Sequence, residues 1–126
     1  GCLIVAEPGR HQIQRFTAEG EKAASWGARS REESGFAGCC NPVALAPMAD
    51  GSVVTVERGL VRVKRFNTAG EMLGQLAGPE AFAAQISQDD EGDLFACEGG
   101  LFDVAVSKTG RVIVLDRAAG ELRVLS

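Results

Sequence analysis

Three stretches of this chain repeat one another. Gly1-Cys2-Leu3-Ile4-Val5-Ala6-Glu7 is followed by Ile13-Gln14-Arg15-Phe16. Gly51-Ser52-Val53-Val54-Thr55-Val56-Glu57 is followed by Val63-Lys64-Arg65-Phe66. Gly110-Arg111-Val112-Ile113-Val114-Leu115-Asp116 is followed by Leu122-Arg123-Val124-Leu125. The second copy starts 50 residues after the first and aligns with it without a gap; the third starts 59 residues after the second. A fixed period of this size marks a solenoid, a propeller or an array, and it constrains the fold more than any local signal.

Within each copy apolar and polar residues alternate between turn residues, which is the strand pattern. The middle copy is complete. Strands are expected over Pro42–Ala46, Val53–Glu57, Val61–Phe66 and Glu71–Leu76, with turns at Ala49-Asp50-Gly51, Arg58-Gly59 and Asn67-Thr68-Ala69-Gly70. In the third of these strands Val61, Val63 and Arg65 share one face, and Arg62, Lys64 and Phe66 the other. Four short antiparallel strands per repeat make a propeller blade. The first copy lacks an opening strand and supplies three: the duplicated Val-rich run, Gln12–Phe16 and Glu21–Trp26. The last supplies Phe102–Val106 and two more. The expectation is an all-β fragment of about two and a half four-stranded blades, read as one partial domain over 1–126 with repeat units 1–27, 42–76 and 101–126.

Two connections are longer, 27–41 and 77–100. Gly27 to Gly38 is polar and rich in Gly and Ser, the composition of a surface loop. Pro79 followed by Glu80-Ala81-Phe82-Ala83-Ala84-Gln85-Ile86 favours a short helix, with Pro in its first turn. A loop at 87–92 and an extended stretch from Leu94 to Cys97 complete that connection.

The repeat Ala46-Pro47-Met48-Ala49-Asp50-Gly51-Ser52-Val53-Val54-Thr55-Val56-Glu57, then Arg62-Val63-Lys64-Arg65-Phe66, then Gly70-Glu71, resembles the NHL repeat. That pattern combines an Asp-Gly turn, a Val-rich strand ending in an acid, an Arg-Val-x-x-Phe strand and a Gly-Glu turn. Ala105 to Asp116 matches it again, and Trp26-Gly27 is similar to the family's fourth-strand ending. The resemblance covers about two thirds of the chain and implies a propeller of about six blades when complete. The missing blades would come from a longer parent polypeptide or from association of copies. Gly38-Cys39-Cys40-Asn41-Pro42 with Cys97-Glu98-Gly99-Gly100 resembles a narrower bacterial, mostly uncharacterised, NHL-repeat subgroup with a Gly-Cys-Cys-x-Pro signature. NHL proteins are mostly binding scaffolds. A few are metal-dependent enzymes, whose His constellation has no counterpart here.

On the repeat alignment Cys39, Cys40 and Cys97 lie just ahead of the first strands of two neighbouring blades, at one mouth of the channel. Cys2 falls at the start of a second strand, on the opposite face. Three readings stand side by side for the trio. Cys97 could be disulfide-bonded to Cys39 or Cys40, which requires Cα atoms within about 7 Å. The three thiolates could ligate zinc or an iron–sulfur cluster, which usually requires a fourth ligand. Or they are inert buried thiols.

His11, the single histidine, falls in a hairpin turn and is expected to be solvated. Arg62, Lys64 and Arg65 are expected to form a solvated blade face, and Asp89-Asp90-Glu91-Gly92-Asp93 a solvated loop. Trp26, Phe16 and Phe66 are expected to pack between blades. Glu7, Glu57 and Asp116 recur at the ends of second strands, which points to hydrogen bonding within the hairpin. A net charge of −4 gives no electrostatic footprint for nucleic acid, and no apolar run is long enough to span a membrane. The functional expectation is therefore a non-catalytic NHL-like module for protein or ligand binding and scaffolding, extracytoplasmic, with a protein partner or self-association. The alternative is a redox or metal protein using Cys39, Cys40 and Cys97.

Overall fold

The computed structural model describes residues 2–38, 40–85, 102–117 and 119–125. These residues form ten strands in three antiparallel sheets. Sheet 1 holds β1 (Cys2–Glu7), β2 (Gln12–Thr17) and β3 (Lys22–Trp26) in that order. Sheet 2 holds β4 (Ala44–Pro47), β5 (Val53–Glu57), β6 (Arg62–Phe66) and β7 (Met72–Ala77). Sheet 3 holds β8 (Phe102–Val106), β9 (Val112–Asp116) and β10 (Glu121–Leu125). Every strand expected from the repeat forms, and each bound that differs does so by at most two residues. No helix among the described residues is long and apolar enough to cross a membrane.

The repeat acts first through its turns. Four of them share one hydrogen-bond pattern: Gly20, Gly51, Gly70 and Gly110 donate to the carbonyls of Thr17, Met48, Asn67 and Ser107 at 2.9–3.0 Å. In each, the residue that accepts also donates its own N–H to the carbonyl one past the glycine. The four glycines have φ between 89° and 92°, a conformation a side chain resists. In the turn before β5, Asp50 accepts from the Ser52 backbone and hydroxyl and pairs with Arg65. The Ser52 hydroxyl, chiefly, holds the Asp50 carboxyl below the usual carboxylate value.

The three sheets stack with sheet 2 in the middle. Alternation along its strands sends Val54, Val56 and Val63 to one side and Val53 and Phe66 to the other. The first set packs with Phe102, Val104, Val112 and Val114 of sheet 3. The second packs with Ile4, Ala6, Ile13 and Trp26 of sheet 1. All of β5 is therefore buried, a run without the one-sided pattern of the outer strands.

The expected short helix forms over Pro79–Gln85, in 3-10 form broken at Phe82, and each connection buries an aromatic ring. Residues 79–85 form two short 3-10 turns meeting at Phe82, whose non-helical backbone delivers a fully buried ring edge-on to Phe102 at 5.4 Å. Burying that ring outweighs the preference of the surrounding alanines for a continuous α-helix. Within 27–38, Phe36 and Ala37 are buried, and the Phe36 ring packs tilted against Phe66 at 5.7 Å. That stretch is a covering strap over sheet 2 and not a plain surface loop.

Candidate functional site

The strap is held by charges. Register pairs Val53 with Phe66, Thr55 with Lys64 and Glu57 with Arg62, so all six lie on the face of sheet 2 that the strap covers. Glu57 Oε1 stands 2.8 Å from Arg62 Nη2, and Oε2 stands 2.8 Å from Lys64 Nζ. Arg62 donates to the carbonyls of Arg31, Glu32 and Gly35 at 3.0–3.1 Å. Lys64 donates to the carbonyl of Glu33 at 2.7 Å and to that of Gly35. The Ala37 N–H donates back to Glu57 Oε1 at 3.0 Å. The Phe36 ring lies 4.8 Å from Nζ, a cation–π contact. Burial pushes the Lys64 amine below the ordinary lysine pKa, and the Glu57 carboxylate opposes that shift.

Two further residues fasten the C-terminal end of the strap. Asn41 is buried; its amide donates to the carbonyls of Ala37 and Arg58, and its oxygen accepts from the Arg58 N–H. It precedes Pro42 through a cis peptide bond. His11 is buried as well, with Nε2 2.8 Å from the Gly38 carbonyl.

The strap forms one wall of a cleft of about 580 Å³, lined by Glu32, Glu33 and Ser34 on one side and Met72, Leu73, Gly74 and Gln75 of β7 on the other. The backbone of the first wall is fixed by Arg62 and Lys64, while the side chains of residues 32–34 stay exposed.

Several expectations are corrected here. Arg62 and Lys64 are not a solvated face: both are buried, because Glu57 and four strap carbonyls replace their water. Arg65, on the opposite side of β6, is half-buried and pairs with Asp50. His11 is not solvated, for the reason given. Phe66 and Trp26 pack between sheets 1 and 2, 6.4 Å apart, whereas Phe16 is half-buried and pairs with exposed Leu3. The recurring acids do hydrogen-bond locally. Glu7 accepts from Gln14, Glu57 binds as above, and Asp116 accepts from the Ala119 N–H at 3.2 Å. Of the cysteines singled out, Cys39 and Cys97 lie outside the described residues, as does the acidic stretch 89–93. Cys40 is half-buried beside the strap, and Cys2 is exposed at the start of β1.

One sequence signal could have revealed the buried charges. Phe66 lies on the same strand face as Arg62 and Lys64, and Glu57 is the cross-strand neighbour of Arg62. An aromatic residue and a matched acid beside two cations mark a covered face. A scan against protein-family models and a search of curated proteins both found no match.

Proposed function

We propose that this chain is a segment of an NHL-like β-propeller and serves as a non-catalytic scaffold that binds protein partners. The observation that carries the reading is the use of the sheet faces. Sheet 2 is covered on both sides by sheets built from the same repeat, while the outer faces of sheets 1 and 3 leave Leu3, Val5, Leu122 and Val124 exposed. Open apolar faces at both ends of a repeat stack are surfaces for protein contact. Glu57, Arg62 and Lys64 support the reading in another way, because their charges are committed to holding the strap.

Anaerobic purification followed by metal analysis, visible absorption and a thiol count tests the proposal. A colourless protein with no stoichiometric metal is expected. Bound iron or zinc that is lost in Cys39→Ser or Cys97→Ser would overturn it in favour of thiolate metal chemistry.

A further inference from the structure

The two outer faces of the stack are not alike. In sheet 2 the face bearing Val54, Val56 and Val63 packs onto the face of sheet 3 bearing Val112 and Val114. The repeat alignment makes Ile4 and Ala6 the counterparts of Val54 and Val56, and Val112 and Val114 the counterparts of Val53 and Thr55. Sheet 1 places Ile4, Ala6 and Ile13 against Val53 and Phe66 of sheet 2. Both internal interfaces thus join the same two kinds of face, one from each kind.

Each end of the stack leaves one kind unused. On sheet 3, Ile113 and Leu115 are the counterparts of Val54 and Val56. Register pairs them with Val124 and Leu122, which are 58% and 67% exposed. On sheet 1, Leu3 and Val5 are the counterparts of Val53 and Thr55. Leu3 pairs with Phe16 and is 62% exposed.

Charge on the sheet 1 face fits an open surface too. In sheets 2 and 3 the cations Lys64 and Arg123 occupy equivalent positions, and Phe36 and Phe82 from the preceding connections lie against them at 4.8 and 5.5 Å. Sheet 1 has neutral Gln14 at that position, already bonded to Glu7. Its face therefore needs no covering connection before another sheet docks on it.

Resting on the repeat-array reading above, we infer that the chain associates head to tail with a second copy of itself, the Leu115–Leu122 face of one copy seating on the Leu3–Val5–Phe16 face of the next. Such a contact is heterologous and extends into a ring or a filament.

Sedimentation velocity on the wild-type chain, Leu3→Glu, Leu122→Glu and an equimolar mixture of the two variants tests this. Both leucines are solvent-exposed, and circular dichroism verifies that the variants fold; Val124→Lys replaces Leu122→Glu if needed. Wild type is expected to exceed the 13.2 kDa monomer with rising concentration. Each variant alone is expected to stay monomeric, and the mixture to form a one-to-one dimer through the two intact faces. A wild-type chain that stays monomeric would overturn the inference, as would a single variant that still dimerises, which would mean like faces pair. A monomeric chain free of metal would leave the scaffold reading standing, so the two failures are distinct.

Discussion

Lys64 Nζ lies 2.8 Å from Glu57 Oε2, and neither side chain is exposed to solvent. The pair sits at the base of the strap formed by residues 27–38, where Arg62 joins it and strap carbonyls accept from Arg62 Nη1 and Nη2 and from Lys64 Nζ. Removing one member of such a group leaves a buried charge without compensation, which costs about 3–5 kcal/mol. Glu57→Ala, which strands two cations, is therefore expected to lose that much stability in urea unfolding. Lys64→Met, which leaves Glu57 its Arg62 partner and the Ala37 N–H, is expected to lose less. Equal losses, or a Glu57→Ala effect below about 1 kcal/mol, would contradict the buried arrangement.

The depressed pKa of Lys64 has a defined pH consequence. Desolvation disfavours its charged form in the folded chain. Between the folded-state pKa and the ordinary value of 10.5, the unfolded chain binds more protons at this site. Across that window this group makes unfolding free energy rise with pH. Asp50 acts at the other end of the scale: its contribution is present above 3.8 and is lost as pH falls through the lower folded value. The Lys64 Cε chemical shift, followed against pH by NMR, should titrate below the ordinary lysine value of 10.5. A midpoint at or above 10.5 would refute the assignment.

Gly70 and Gly110 provide an internal comparison. They occupy turns with the same hydrogen-bond pattern at different places in the repeat, with φ of 91° and 89°. A Cβ on Gly70 would stand 2.7 Å from the Trp26 ring, while one on Gly110 would meet nothing within 4 Å. Gly110→Ala is expected to cost about 1–2 kcal/mol from backbone strain alone. Gly70→Ala should cost more and shift the fluorescence of Trp26, the single tryptophan. Equal costs with unchanged fluorescence would show that sheet 1 does not close on that turn.

Phe36→Ala tests the strap as a unit. The fully buried ring contacts Phe66 and Lys64, and truncation of a buried Phe costs about 3–5 kcal/mol. Faster amide exchange is expected at Ser30 and Phe36, whose N–H groups are bonded within the strap at 2.9–3.0 Å. Unchanged exchange there would argue that the strap is held by other contacts.

The repeat made the sheets legible because each copy carries both the alternation that pairs strands and the glycine that turns them. Residues 53–57 and 102–106 could be bounded to the residue. The assignment of Arg62, Lys64 and Phe66 to one face was equally readable. The strap was not. Its Gly, Ser and Glu content signals a loop, yet its backbone carbonyls, which have no sequence signature, are what stabilise Arg62 and Lys64. His11 was missed for a related reason: its partner, the Gly38 carbonyl, lies 27 residues away across the fold. Asn41 serves as a double tie to Arg58 within the Gly-Cys-Cys-Asn-Pro motif, where no local pattern marks it. Long-range contacts to backbone atoms leave no periodic trace for alternation to reveal.

Native-state hydrogen exchange, measured on Leu122→Glu to remove association between copies, tests the three-sheet stack most directly. Sheet 2 is covered on both faces, so amides of β5 and β6, including Val54, Val56 and Val63, should exchange only through global unfolding. Those of β1 and β10, in the outer sheets, should exchange faster. Protection in β5 and β6 no greater than in β1 and β10 would contradict the placement of the middle repeat between its two neighbours.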